Sequence, residues 1–95
     1  MILRFSGPLY EWRGPAPFYF VDVPEDESAA ISEVRQSLTY GWGVIPVTVK
    51  LGATEWTTSL FPRNGMYAVP VKDVIRKAES VAVGDVLDLE LRMQV

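Results

Sequence analysis

The stretch "GMYAVPVKDVIRKAESVAVGDVLDLEL", Gly65 to Leu91, switches between two periodicities, and that switch decides the fold. Its last part alternates almost without fault. Leu87, Leu89, Leu91 and then Met93 take one face; Asp88, Glu90, Arg92 and Gln94 take the other. Successive side chains point to opposite faces of a strand, so this segment is a strand with one dry face and one wet face. Met66 to Val71 reads as another strand. Between the two, Lys72 to Ser80 has the spacing of a short helix with Val74, Ile75 and Ala78 inward. Gly84-Asp85 turns the chain into the last strand, and the Asp85 carboxylate is expected to bond its own turn backbone.

The same order occurs once before. Phe18 to Val23 is rich in aromatic and β-branched residues and reads as a strand. Pro24 suits the first position of a helix, and Glu25, Asp26 and Glu27 place negative charge where the helix dipole favours it. Ala30, Ile31, Val34 and Leu38 follow at helical spacing, and the helix should end before Gly41. Beyond Gly41-Trp42-Gly43, Ile45, Val47, Val49 and Leu51 alternate with Val44, Pro46, Thr48 and Lys50. Val23-Pro24, helix, Gly43, strand is thus echoed by Val69-Pro70, helix, Gly84, strand. The echo predicts two similar halves around one shared apolar interior.

Two more segments complete the pattern. Ile2 to Trp12 looks extended, with Leu3 and Phe5 alternating with Arg4 and Ser6, and with Gly7-Pro8 as a bulge or kink. Arg13 to Pro17, with two prolines and a glycine, is a loop. After a turn at Gly52-Ala53 comes "TEWTTSLFPRNG", Thr54 to Gly65. It reads as a returning strand to Phe61 and a Pro62-Arg63-Asn64-Gly65 turn, where Asn-Gly supplies the positive φ values of a tight hairpin. The expected architecture is mainly β: six strands forming a closed or pseudo-closed barrel, capped by two short α-helices, in a single domain spanning residues 1–95.

Composition removes several chemistries. The 95 residues include no cysteine and no histidine. Disulfides, thiolate nucleophiles, imidazole acid–base work and Cys or His metal sites are therefore absent from this chain. The net charge of −3 does not favour a surface that tracks phosphates. The start MILRFSGPLY is broken by Arg4 and is not read as a signal peptide. No apolar run approaches the ~20 residues that cross a bilayer. A soluble, cytoplasmic protein without membrane partners is expected.

The segments "FSGPLYEWRGPAPFYFVDVP", "GWGVIPVTVKLGATEWTTSLFPRNG", "YAVPVK" and "VGDVLDLEL" together resemble the bacterial domain-of-unknown-function family numbered 1905, over nearly the whole chain. The resemblance implies a double-split β-barrel and no assigned activity. Gly65, Val69-Pro70, Arg76 and Gly84-Asp85 also resemble the AbrB/MazE-type swapped-hairpin module, in which a basic, dimeric β surface grips DNA.

The candidate sites follow from these placements. Trp56, Thr58 and Leu60 share one face of their strand. The architectural reading makes them a half-buried barrel wall. The functional reading is a shallow pocket: Trp56 gives a flat wall, Thr57, Thr58 and Ser59 give donors, and Arg63 or Lys72 gives charge for an anion. Trp12-Arg13 and Trp42 flank glycine-containing loops and, with Tyr10 and Tyr40, either plug the barrel ends or line an aromatic mouth. Arg63, Lys72, Arg76 and Lys77 cluster in sequence, but Asp73, Glu79, Asp85 and Asp88 offset them. Glu25, Asp26 and Glu27 are better explained as helix N-terminal charges than as metal ligands, and nothing in the spacing pairs Asp22 with Glu55 as an acid–base couple.

The expected function is a non-enzymatic ligand-binding or protein-interaction module. Its candidate residues are Trp12, Arg13, Trp42, Trp56, Thr58, Arg63 and Lys72. No cofactor or metal is implied. The partner would be a small anionic or amphipathic molecule, or another protein domain; an oligomer is compatible with the pattern. An AbrB/MazE-like dimeric DNA-binding regulator or antitoxin is the alternative, and an enzyme using lysine or carboxylate groups is the second.

Overall fold

A computed structural model describes residues 1–14, 18–38 and 45–93. Along the chain run β1 (Ile2–Pro8), β2 (Tyr10–Trp12), β3 (Phe18–Val23), α1 (Glu25–Leu38), β4 (Ile45–Leu51), β5 (Thr54–Arg63), β6 (Met66–Pro70), α2 (Asp73–Glu79) and β7 (Val86–Arg92). The seven strands are antiparallel to their neighbours and form one curled, half-barrel sheet in the order β1-β7-β4-β5-β6-β3-β2.

That order explains the curl and corrects the strand count. β1 and β2 stand at opposite ends of the sheet, yet a single residue, Leu9, separates them in the chain. A flat sheet cannot place its two edges one residue apart, so the sheet bends round. Leu9 is where the expected single strand breaks. Its side chain is buried, its N–H donates to the Asp85 carbonyl at 2.9 Å, and its carbonyl accepts from the Gly84 N–H at 2.8 Å. The backbone groups released by the break are satisfied by the turn before β7. Among the described residues, seven strands therefore stand where six were expected.

The internal echo is realised as pairing between counterparts. β3 pairs with β6, and β4 pairs with β7. Core rows cross from one half to the other: Leu3, Leu91, Val49 and Trp56 are successive cross-strand neighbours, as are Phe5, Leu89 and Leu51. Val21 faces Val69, and Val23 faces Tyr67. All of these except Leu3 and Trp56 belong to one buried cluster, against which Leu3 and Trp56 pack half-buried. Cross-strand apolar pairs of this kind are the unit of sheet stability.

Each helix is pinned by particular side chains. α1 carries Glu25, Asp26 and Glu27 in its first turn and lies against β6 and β4, with Ile31 buried. Ser28 is buried at its start; its hydroxyl donates to the Val23 carbonyl at 3.0 Å and accepts from the Tyr67 N–H at 3.3 Å. One hydroxyl thus ties the helix to both β3 and β6. In α2, Ile75 turns inward, whereas Val74 and Ala78, expected inward, are exposed. Seven residues make two turns, and of the apolar positions of so short a helix only Ile75 is buried. Arg76 covers the remaining contact. Its guanidinium lies 3.6 Å from the Tyr19 ring centroid and donates to the Val71 carbonyl at 2.8 Å. Among the described residues, no helix is long and apolar enough to cross a membrane.

Candidate functional site

Ten residues of β5 form a corner. Thr54 to Leu60 pair with β4, and Phe61 to Arg63 pair with β6. The hairpin turn is only Asn64-Gly65, both at positive φ (51° and 77°), so Pro62 and Arg63 remain in the strand. That extension matters, because it carries Phe61 and Arg63 onto the outer face of the sheet beside β6, β3 and β2.

The outer face, turned away from the core, is divided in two. Over β1, β7, β4 and the first part of β5 it is a ladder of alternating charge. Arg4, Glu90, Lys50 and Glu55 are successive cross-strand neighbours. Arg4 pairs with Glu90 at 2.9 Å, Arg92 pairs with Glu55, and Ser6 donates to Asp88. Such exposed pairs stabilise little and keep a sheet face solvated. Over β2, β3, β6 and the end of β5 the same face is aromatic. Tyr10 faces Phe20 and Trp12 faces Phe18 across β2–β3, while Ala68 stands between Asp22 and Phe61. Ring centroids lie 6.2 Å apart for Trp12–Phe18, 6.0 Å for Phe18–Phe20 and 6.0 Å for Phe20–Phe61, within the range of favourable aromatic pairs. Phe20 is buried by these neighbours outside the main core, whereas Trp12, Phe18 and Phe61 stay 41%, 46% and 41% exposed. The Trp12 ring folds over Gly14, where a Cβ would collide with it.

Two clefts open on this aromatic half. The first, about 510 Å³, is lined by Trp12, Phe18, Phe20, Phe61, Arg63 and Asn64 among others. The second, also about 510 Å³, lies between β5 and α2 and is lined by Thr57, Thr58, Ser59, Lys72 and Arg76, again with Phe18 and Phe61. Phe18 and Phe61 belong to both, so the two clefts meet at an aromatic ridge. Their volumes fall within the range of small-molecule sites.

The expected site residues divide accordingly. Trp12 and Arg63 meet in the first cleft, and Thr58 and Lys72 in the second. Arg13 is exposed at the end of β2 and pairs with Glu11 at 3.0 Å. Trp12 and Tyr10 lie on the outer face, opposite Phe18 and Phe20. Trp56 is on the opposite face, packed against the core with its indole N–H buried and unpartnered among the described residues, so it does not join the clefts. Trp42 and Tyr40 lie outside the described residues. Phe18, Phe20 and Phe61 were not singled out from the sequence. What brings them together is the cross-strand register, which the residues alone do not record: it places β2 and β3 beside the aromatic end of β5 across β6.

Electrostatics sharpen the two clefts. Asp22 accepts the Tyr10 hydroxyl, and the Arg63 guanidinium sits 5.2 Å from the Tyr10 ring centroid. Burial first, and the bond to Asp22 second, push the Tyr10 phenol well above its ordinary value, with Arg63 opposing. A raised phenol favours the protonated folded form, so its contribution is full below the unfolded value of about 10 and is lost as pH rises beyond it. Wild type is therefore expected to lose more stability than Tyr10→Phe between about pH 9 and pH 11.5. Urea midpoints of both proteins across that window check it; parallel curves would remove the role given to Tyr10. At the second cleft the Lys77 ammonium beside Asp73, with Arg76 also paired to it, holds that carboxyl below its usual range.

Other motifs are architectural. Asp85 accepts the Ala82 N–H at 2.8 Å, as its turn requires. Asp22 and Glu55 stand on different halves of the outer face, each with its own partner. Among the described residues, no three acidic groups gather where they could hold a metal ion.

No curated protein matches the chain. Residues 5–91, nearly the whole length and including both halves of the sheet, match the model of a family described as Domain of unknown function (DUF1905), and the chain belongs to that family.

Proposed function

We propose that the protein is a non-enzymatic binding module whose outer aromatic face takes a small amphipathic anion. One observation carries the reading: a single continuous sheet presents alternating charge on one half of its outer face and clustered rings on the other. Rings left in water forgo burial that stabilises at about 25 cal/mol per Å², and they invite aggregation, so an uncovered cluster marks an interaction site. Flat apolar walls supply the contact, and Arg63 and Lys72 supply the charge. Among the described residues neither cation is held by a carboxylate. A DNA-gripping surface is less well supported, because the charged half sets Glu55, Asp88 and Glu90 against Arg4, Lys50 and Arg92. The double-split description of the barrel belongs to the same proposal; the curled sheet and the pairing of counterpart strands support it.

The test is calorimetric titration with a flat aromatic carboxylate such as 2-naphthoate. Removing both ridge rings, Phe18→Ala with Phe61→Ala, is expected to weaken binding about tenfold or more, as loss of central aromatic anchors does. Both rings are exposed, so the fold should survive. Arg4→Ala with Lys50→Ala, on the charged half, should leave affinity unchanged. Equal affinities for the two double variants would refute the assignment.

A further inference from the structure

We infer that the aromatic face takes a free mononucleotide, its base in the cleft of Trp12, Phe18 and Arg63 and its phosphate in the cleft of Thr57, Ser59 and Lys72. The inference rests on the binding role proposed above and specifies the ligand.

The two clefts differ in chemistry but share Phe18 and Phe61. A ligand spanning them must therefore have a flat apolar end and a strongly polar end. At the flat end the Asn64 side-chain amide, at the tip of the hairpin, offers one acceptor and two donors, and Arg63 offers donors alone. Rings that stack and an amide that reads a polar edge suit a heteroaromatic base better than a plain hydrocarbon.

At the polar end the charge is positive in a chain whose net charge is −3. The residues lining both clefts include the cations Arg63, Lys72 and Arg76 and one carboxylate, Asp73. Asp73 is already engaged by Arg76 at 2.8 Å and Lys77 at 3.1 Å. The Arg76 guanidinium is spent on Tyr19, the Val71 carbonyl and Asp73, so the second cleft itself offers no free planar fork. What remains is the Lys72 ammonium with three donors, beside the hydroxyls of Thr57 and Ser59, which share the face opposite to Trp56 and Leu60. A phosphate, with three acceptor oxygens and more than one negative charge, matches that set. Among the described residues the two clefts offer only Arg63 and Lys72 as cations free of a carboxylate, too few to track the phosphates of a strand, which favours a free nucleotide over a nucleic acid.

The test uses the full chain and three probes: adenosine monophosphate, adenosine and inorganic phosphate, each titrated calorimetrically at low salt. Adenosine monophosphate is expected to bind about tenfold or more tighter than adenosine, the usual gain from a charge-assisted bond. Lys72→Ala should erase that advantage while leaving adenosine affinity unchanged, and Phe18→Ala should weaken both. Lys72 is exposed, so its variant should keep the wild-type circular dichroism spectrum. Equal affinity for nucleotide and nucleoside in wild type, or an advantage that survives Lys72→Ala, overturns the inference. Should 2-naphthoate bind and depend on the ridge rings while neither adenosine compound does, the nucleotide falls and the binding face stands. Should 2-naphthoate fail as well, both fall together.

Discussion

Leu91→Ala is expected to cost about 3–5 kcal/mol, a large part of the roughly 5–14 kcal/mol that a domain of this size holds. Leu91 is fully buried near the C-terminal end of β7, with Leu3 of β1 on one side and Val49 of β4 on the other. It thus joins three strands, two of them counterparts in the internal echo. Truncation removes the transfer energy of the lost carbons and leaves a cavity that sheet neighbours cannot fill without breaking their own pairing. In urea the midpoint should fall by about 1–3 M for a slope of ordinary size. Val86→Ala, on the same strand but at a position 68% exposed, should stay within about 0.5 kcal/mol. Similar costs for the two variants would mean that β7 does not bridge the two halves.

Gly52→Ala is the second large effect, expected at about 2–4 kcal/mol from two separable causes. Gly52 opens the two-residue turn between β4 and β5 at φ +58°, a conformation that costs a residue with a Cβ about 1–2 kcal/mol. A Cβ at that position would also collide with Glu79 Oε1. Glu79, in the last turn of α2, accepts the Thr54 hydroxyl and so docks the helix end on this turn. Displacing it forfeits that charge-assisted bond. The two causes part in a double-mutant cycle. With Glu79→Ala already in place, Gly52→Ala should cost about 1 kcal/mol less than in wild type, because the collision is gone. Strict additivity would leave backbone strain as the whole explanation.

How far residues alone reveal this molecule depends on whether a face is uniquely apolar. Leu87, Leu89 and Leu91 alternate with charges, so their burial was legible and holds. The same is true of Ile45, Val47, Val49 and Leu51, and of the acidic first turn of α1. β3, "FYFVDV", alternates between two faces that are both rich in apolar groups. Only its register against β2 and β6 shows that Val21 and Val23 go in while Phe18 and Phe20 go out. This is why half of the aromatic site was invisible. The break at Leu9 was hidden for another reason. Its cause is a pair of hydrogen bonds to Gly84 and Asp85, seventy-five residues and more away, which no local pattern records. Trp56 misled by composition: among hydroxyls it suggests a pocket, but its parity with Leu60 sends it to the core side.

The division of the outer face into a charged half and a binding half is tested most directly by amide chemical-shift mapping during titration of the wild-type protein with 2-naphthoate. The perturbed amides should gather at Trp12, Phe18, Phe61, Arg63 and Lys72, with those of Arg4, Lys50 and Glu90 unmoved. Shifts centred on β1, β7 and β4, or scattered evenly over both halves, would contradict the assignment.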